Sequence, residues 1–347
     1  MKKAALLAAL CCCSVIGSYS ASAGEESVLH VYTWSDYFDP DVIADFEDEF
    51  ACRVSIDYFD SNEAMYAKIK AGAGGYDLIT PSSYMSAVMN KQGMLSPVDH
   101  SLIPNIDNMD RTYTAMTEDP DMSYSVPYTR TVSGVGYNRK RLGEVEDESW
   151  AIFARTDLSR RMTMLNDVRE TIGAALKYLG YSLNTTNENE LAEAGELLRQ
   201  WKRNLAKFEV DEAKIGLGSG EFHVIHGYNG DVALIMEEND DIDFFVPGEG
   251  ASIASDDFVI LNGAGNPGLA HEFINYILDP EIALRNMEGI FYYMPNPAAV
   301  AMLDPELSES PAFAVSDEVL ARCEVIRDLG EDNALYVRIW DMVKADE

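Results

Sequence analysis

An α/β fold with two lobes is predicted from three observations. Short β-rich segments alternate with amphipathic helical segments from Val28 onward, in the order that produces a mostly parallel sheet with helices on its faces. The chain has 347 residues, and a chain longer than about 300 residues usually forms more than one core. Hydrophobic residues make up 47% and charged residues 24% of the chain, which is an ordinary globular composition.

The first elements are predicted from helix caps and apolar spacing. Residues 28–33 are rich in β-forming side chains. Asp39 and the proline after it supply a helix cap and a first helical residue. Residues 53–58 form a second strand, Ser61 caps a second helix that ends near residue 70, and residues 76–80 form a third strand. This βαβαβ order predicts parallel pairing.

Later segments continue the alternation. We expect helices at 168–179, 188–206, 269–278 and within 317–344, and strands at 231–236 and 256–261. In open parallel sheets, ligands bind beyond the carboxyl ends of the strands. Aromatic and acidic residues occur together at several such positions: Trp34 to Tyr37, Pro81 to Tyr84, Asn166 to Glu170, and Gly227 to Gly230.

The charge balance excludes one large class of partner. The chain has 26 Lys and Arg against 59 Asp and Glu, a formal net charge of −33. Nucleic acid is not an expected partner, because phosphate backbones require a basic surface. The negative field favours cationic small molecules, although solubility is an equally good explanation of it.

The N-terminus has the pattern of an export signal. Two lysines precede an apolar run, and Ala21 to Ala23 supply small residues for cleavage, so residues 1–23 are predicted to be a signal peptide. Cleavage before a lipid-modified Cys13 is the alternative. No later stretch has the roughly 18 apolar residues of a membrane span.

Cysteine and histidine give weaker signals. Cys52 and Cys323 lie outside the export signal and either form a disulfide or remain free thiols. His223 and His226 have a metal-ligand spacing, but no other Cys or His stands nearby. No metal or other cofactor is therefore expected.

The acidic residues have two possible functions, catalysis and the binding of a cationic ligand. Asp167 and Glu170 share a helix face, as an acid–base pair of a hydrolase would, although acids are also favoured in a first helical turn by the helix dipole. Carboxylates beside aromatics also match an aliphatic polyamine. Its ammonium groups require acceptors, and its methylene groups gain by lying on Trp or Tyr faces.

Several motifs resemble one known family. They are Tyr32-x-Trp34-Ser35-Asp36-Tyr37, the run from Ser61 to Lys68, Tyr76-Asp77-Leu78, Pro81-Ser82-Ser83-Tyr84 and Lys177-Tyr178-Leu179-Gly180-Tyr181. The chain resembles the periplasmic spermidine/putrescine-binding proteins of polyamine ABC importers from about Val28 to its last helix. The resemblance implies a monomeric, two-lobed periplasmic binding protein of type II, a venus-flytrap that closes on its ligand.

The resemblance also implies lobe boundaries and site residues. The first lobe would comprise residues 24–131 plus 254–300, and the second residues 132–253 plus 301–347. An aromatic box would consist of Trp34, Tyr37, Tyr84, Tyr228 and Tyr292. The ammonium acceptors would be Asp36, Asp167, Glu170 and Asp256, with Ser35 and Ser82 as hydrogen-bonding neighbours.

This chain departs from the family pattern at two positions. Ala254 stands where spermidine-preferring members have an aromatic residue, and Ile326 stands where they have glutamine. Ser35 and Asp36 resemble the putrescine-preferring members. These differences predict putrescine as the preferred ligand, with spermidine also accepted.

The implied role is to deliver polyamine to a membrane permease and its ATPase, without catalysis. The alternative is a sensor adaptor that signals through a membrane receptor.

Overall fold

The computed structural model describes residues 27–115, 117–310, 312–313 and 315–345. The predicted signal peptide at 1–23, the possible lipid attachment at Cys13 and the remaining N-terminal cysteines therefore lie outside the described residues. Among the residues that are described, no helix has both the length and the apolar character needed to cross a bilayer.

Ten strands lie within the described residues. They are β1 (Ser27–Thr33), β2 (Cys52–Tyr58), β3 (Leu78–Ile79), β4 (Val126–Asn138), β5 (Met162–Met164), β6 (Leu205–Phe208), β7 (Val224–Tyr228), β8 (Ile242–Phe245), β9 (Ser252–Ile260) and β10 (Glu324–Val325).

Fifteen α-helices connect them in the same described residues. They are α1 (Pro40–Phe50), α2 (Asn62–Lys70), α3 (Ser83–Lys91), α4 (Arg111–Thr114), α5 (Arg139–Leu142), α6 (Val168–Tyr178), α7 (Glu188–Lys202), α8 (Asp211–Ser219), α9 (Asn229–Glu238), α10 (Pro267–Ile277), α11 (Pro280–Ile290), α12 (Pro297–Val300), α13 (Pro305–Ser308), α14 (Asp317–Leu320) and α15 (Asn333–Ala345).

The sheet is mixed, as predicted. Its strand order is β2-β1-β3-β9-β4-β7-β5-β6, with β10 beside β9 and β8 beside β4. β1 is parallel to both β2 and β3, and β5 is parallel to both β6 and β7. β9 is antiparallel to β3 and β4, and β4 is antiparallel to β7 and β8.

The sheet of the first lobe is covered on both faces. Alternate strand residues point to opposite sides, so Val31 and Leu78 enter one apolar cluster while Tyr32 and Ile79 enter the other. The first cluster packs against α1, α10 and α11 through residues such as Phe46. These residues of β1 and β3 are therefore buried on both faces, as expected where helices cover both sides of a sheet.

The second lobe has its own core. Strands β5 and β7 pack there against α6, α7 and α15, with Trp150 and Trp201 among the largest fully buried side chains. Two separate cores agree with the expectation from chain length.

Two long strands, β4 and β9, join the lobes. They pair antiparallel, and Thr131 lies opposite Ala254 at the predicted crossing points. Val126 and Phe258 belong to the core of the first lobe, whereas Val132 belongs to that of the second. The lobe boundaries remain a prediction, and we note that Phe313 packs in the first core while Val315 packs in the second.

The helix caps are confirmed. The Asp39 carboxylate accepts hydrogen bonds from the backbone N–H groups of Asp41 and Val42 at the start of α1. The Ser61 hydroxyl accepts one from the N–H of Ala64 at the start of α2. These side chains satisfy donors that a helix leaves without partners in its first turn.

One predicted strand is wrong. Residues 231–236 lie in helix α9, and the strand is β7, which precedes it. A short buried apolar run does not distinguish a strand from a helix by its periodicity. The predicted helix 188–206 ends at Lys202 and is followed by β6, and only two residues of the third predicted strand form β3.

The two cysteines in the described residues are not joined to each other by a disulfide. Cys52 is buried in the first lobe and Cys323 is partly buried against the second. The disulfide alternative is therefore not present in this structure.

Candidate functional site

A narrow cavity lies between the two lobes. It contains about 560 Å³ of space not occupied by atoms, part of which is continuous with solvent. Its wall consists of residues from both lobes: Trp34, Ser35, Tyr37, Phe59, Asn62, Ser82, Tyr84, Thr131, Asp167, Glu170, Val210, Asp211, Tyr228, Asp231, Ala254, Asp256, Tyr292 and Ile326.

Strand ends bring these residues together. Trp34 to Tyr37 follow β1, Ser82 follows β3, and Asp167 follows β5. Tyr228 ends β7, and Asp256 lies on β9 opposite Ser82. The segments were predicted to meet because the ends of neighbouring strands lie at one edge of a sheet.

Asp256 is a buried carboxylate on the first-lobe side of the cavity. It is buried, and its carboxylate receives hydrogen bonds from the hydroxyls of Tyr37 and Ser82, the latter at 2.6 Å. The amide of Asn62 holds Ser82 in place, because it donates to the Ser82 hydroxyl and accepts from the Ser82 backbone N–H, each at 3.0 Å. Burial, together with the charge of Asp167, raises the pKa of Asp256 to about 6 despite these donors.

Asp167 and Glu170 are buried carboxylates on the second-lobe side of the cavity. Asp167 caps α6, accepting from the backbone N–H groups of Arg169 and Glu170 at 2.9 and 3.0 Å. Ser252 donates to the Glu170 carboxylate. Burial, followed by the charge of Asp167, raises the pKa of Glu170 to about 8, and burial raises the pKa of Asp167 as well.

Aromatic rings enclose the same space. The rings of Tyr37 and Tyr292 meet edge to face with their centroids 5.3 Å apart, and the ring centroids of Trp34 and Phe59 are 4.4 Å apart. Tyr84 is buried and donates its hydroxyl hydrogen to Glu63 at 3.1 Å. The rings provide the apolar faces on which a methylene chain packs.

The cavity is therefore selective for cations by charge. Five carboxylates line it, those of Asp167, Glu170, Asp211, Asp231 and Asp256, and the lining set contains no Lys, Arg or His. Burial raises the pKa values of Asp167, Glu170 and Asp256, so an ammonium group placed among these carboxylates would be stabilised. Anions would be repelled.

Comparison with known proteins agrees with this architecture. The family model described as "Bacterial extracellular solute-binding protein" matches residues 41–315. The chain belongs to this family.

Relatives of this solute-binding protein match nearly its whole length. It is 30% identical to a "Spermidine/putrescine-binding periplasmic protein" from Salmonella typhimurium, over 95% of each chain. It is 31% identical to a "Putrescine/cadaverine-binding protein" from Pseudomonas aeruginosa, over 99% of each chain. The solved structure of the TpPotD lipoprotein of Treponema pallidum is 35% identical, covers 91% of this chain and 99% of its own, and superposes with a TM-score of 0.81. The fold is thus the two-lobed type II form of periplasmic binding proteins.

Ten of the eleven site residues predicted for this solute-binding protein line the cavity. Asp36 does not. Asp36 has a left-handed backbone conformation, with φ of 52°, and its side chain is 60% exposed. Its carboxylate binds the Nζ of Lys214 on α8 at 3.0 Å.

Several residues that line the cavity were not predicted from the sequence. The important ones are Asp231 and Asp211, each in the first turn of a helix of the second lobe. Asp231 stands three residues after Tyr228, as Glu170 stands three residues after Asp167, and that spacing was a usable signal. Assigning residues 231–236 to a strand concealed it.

Both departures from the family pattern lie in the cavity wall. Ala254 and Ile326 are buried and line it. Ala254 contributes no ring, and Ile326 contributes no hydrogen-bond acceptor.

His226 belongs to the core of the second lobe. It is fully buried with its ring 4.8 Å from that of Trp150, and burial lowers its pKa to about 3. The part of the chain that the structure describes contains no group of three or more His, Cys, Asp or Glu side chains arranged to hold a metal ion.

Proposed function

We propose that this solute-binding protein captures a polyamine, putrescine or spermidine, between its lobes and delivers it to an ABC permease and its ATPase in the membrane. The decisive observation is the group of three buried carboxylates, Asp167, Glu170 and Asp256, in an aromatic-walled cavity without a basic lining residue. Relatives named for putrescine, spermidine or cadaverine binding support the assignment.

The ligand chemistry follows from the two groups of acceptors. One ammonium binds Asp256 of the first lobe, and a second binds Asp167 and Glu170 of the second lobe. The methylene chain between them packs on Trp34, Tyr228 and the other rings of the box. A diamine therefore connects the lobes, because each lobe supplies a buried carboxylate that one end of the ligand can neutralise.

The cellular setting is part of the same proposal. Residues 1–23 export the chain, and the mature protein acts as a monomer in the periplasm, either free or lipid-anchored through an N-terminal cysteine. The names of the relatives, which include periplasmic proteins and a lipoprotein, support both forms.

Titration calorimetry tests the proposal. The mature protein is freed of copurified ligand by unfolding and refolding, and is then titrated with putrescine, spermidine, arginine and magnesium. We expect saturable one-to-one binding of putrescine or spermidine, and none of arginine or magnesium. No heat with either polyamine, in a sample shown to be folded, would contradict the proposal.

A further inference from the structure

Lys214 places a cation of the protein itself at one end of the cavity. Its Nζ lies 3.0 Å from Asp36 Oδ2, 3.4 Å from Asp231 Oδ1 and 3.7 Å from Asp211 Oδ1. It also donates to the Ser35 hydroxyl at 3.3 Å. The lysine is on α8 of the second lobe, whereas Ser35 and Asp36 follow β1 of the first.

These contacts divide the carboxylates into two groups. Asp211, Asp231 and Ser35 line the cavity, and Lys214 lies directly behind them. We call this the lysine end. The opposite group, Asp167, Glu170 and Asp256, has hydroxyl and backbone N–H donors but no ammonium or guanidinium group in direct contact with its carboxylates in the described structure.

The ammonium of Lys214 is stable in this position. Burial opposes its charge, but Asp231 and Asp36 outweigh burial and raise its pKa above the ordinary value. Lys214 thus remains charged throughout the physiological range. An additional ammonium brought to this end would lie beside a like charge, which is a common means of rejecting a competing ligand.

We propose that Lys214 determines ligand specificity: its ammonium occupies the Asp36, Asp211 and Asp231 carboxylates and so confines the ammonium groups of the ligand to Asp167, Glu170 and Asp256. The inference rests on the proposed polyamine function. It also accounts for the position of Asp36, which was expected to bind ligand and binds Lys214 instead. A short diamine satisfies such a site, whereas a triamine that extends to the lysine end brings its third ammonium beside the like charge of Lys214.

A purely structural role makes a different prediction. Lys214 also connects the lobes, so its loss could weaken closure. Weaker closure would reduce the affinity for every ligand by the same factor. The ratio of the spermidine affinity to the putrescine affinity therefore distinguishes a role of Lys214 in ligand selection from a role in lobe closure.

The test is the ratio of spermidine to putrescine affinity in Lys214→Gln, measured by titration calorimetry. We expect the ratio to rise at least tenfold, because three carboxylates then lack a cation and accept the third ammonium. Lys214→Arg retains the charge and should keep the wild-type ratio. The matched control is Lys140→Gln, which removes an exposed lysine paired with Asp241 on the same lobe. A ratio in Lys214→Gln within twofold of the wild type would overturn the proposal.

A second measurement needs no variant at position 214. Spermidine can be acetylated at either terminal nitrogen, which gives two isomers. In the wild type, the isomer that binds more tightly should bind at least as tightly as spermidine, since acetylation removes the ammonium that Lys214 opposes. A tenfold loss on acetylation would overturn the proposal. If the wild type binds neither putrescine nor spermidine, the proposed function is wrong. If it binds both, but the affinity ratio and the acetylated ligand do not behave as expected, only the proposed role of Lys214 is wrong.

Discussion

Individual carboxylates determine how strongly the cavity attracts a cation. Asp167 and Asp256 are both almost fully buried, and each belongs to a different lobe. A charge-assisted hydrogen bond contributes about 1.5–3 kcal/mol. Each of the two carboxylates should therefore have a measurable and separable effect on polyamine affinity.

Asp256→Asn and Asp167→Asn are each expected to weaken polyamine binding by about 1.5–3 kcal/mol. Asparagine caps helices about as well as aspartate, so Asp167→Asn retains the cap of α6 and the loss reports on the ligand. Calorimetry gives the affinities, and exposed Glu146, changed to Gln, is the control for general electrostatics. Equal losses in all three variants would show that the field of the whole protein, and not the cavity, attracts the ligand.

Binding should also depend on pH. In the ligand-free protein the pKa of Glu170 is about 8 and that of Asp256 about 6, whereas an ammonium ligand requires both to be ionised. We expect affinity to rise about a hundredfold from pH 6 to pH 8, mostly through Glu170, since fewer protons must then be displaced. Titrations in buffers of different ionisation enthalpy should show proton release, and Glu170→Gln should reduce it. Proton uptake on binding would contradict this prediction.

The same shifts predict the pH dependence of stability. Because the folded-state pKa of Glu170 is above its ordinary value of 4.5, the protonated form stabilises the folded state. This contribution is complete below about pH 4.5 and is lost as pH rises toward 8. The melting temperature of ligand-free Glu170→Gln should therefore fall less than that of the wild type between pH 5 and pH 8. Parallel curves for the two proteins would contradict the assignment.

At the scale of elements, caps and strand ends were predictable from local sequence, and the long connecting strand β4 was not. Asp39 and Ser61 begin helices as expected, because capping is a local property. Strand β4 was missed because Pro127, Gly134 and Gly136 are typical strand breakers. The structure shows a change of register near Pro127, and a Cβ on Gly134 would lie 2.5 Å from the ring of Phe244. These requirements come from tertiary packing, which local spacing does not contain.

The site was predictable to a similar degree. Aromatic and acidic residues at strand ends indicated an aliphatic cation, and the family resemblance supplied particular positions such as Tyr292. Neither indicated that Lys214 would bind Asp36, because α8 lies far from β1 in the sequence and the contact forms only when the lobes meet.

Helix α9 has a glycine that the site requires. A Cβ on Gly230 would lie 2.5 Å from the ring of Tyr292, which contacts Tyr37 and hydrogen-bonds to Asp231. Gly230→Ala should displace that ring, reducing polyamine affinity at least tenfold and the free energy of unfolding by about 1–3 kcal/mol. Calorimetry and denaturant titration measure the two losses.

Gly268→Ala on α10 is the matched control for that substitution. A Cβ there meets no atom within 4 Å, and alanine is the better helix former. Gly268→Ala should therefore retain both affinity and stability. If Gly230→Ala retained them too, Tyr292 would not be held by the packing described here.

At the scale of the whole molecule, polar contacts join the lobes at the cavity, among them those of Lys214 with Asp36 and Ser35. The Ser35 hydroxyl donates to Asp211 at 2.5 Å, and Lys91 on α3 binds Asp328 at 2.7 Å. Lys91 is 67% exposed, and exposed ion pairs contribute about 1 kcal/mol at most. When ionised, Asp167, Glu170 and Asp256 repel one another without a ligand, which favours an open form.

Ligand binding should therefore change the shape of the molecule. A dication removes the repulsion between Asp256 of the first lobe and Asp167 and Glu170 of the second, and its two ends bind opposite lobes, so it stabilises the closed form selectively. In solution scattering, the radius of gyration should fall on adding putrescine, toward the value of about 20 Å expected for a compact chain of this length. Arginine should leave it unchanged. If calorimetry shows saturating putrescine and the scattering curve does not change, the lobes do not move, and the cavity must admit its ligand without the hinge motion that a two-lobed fold provides.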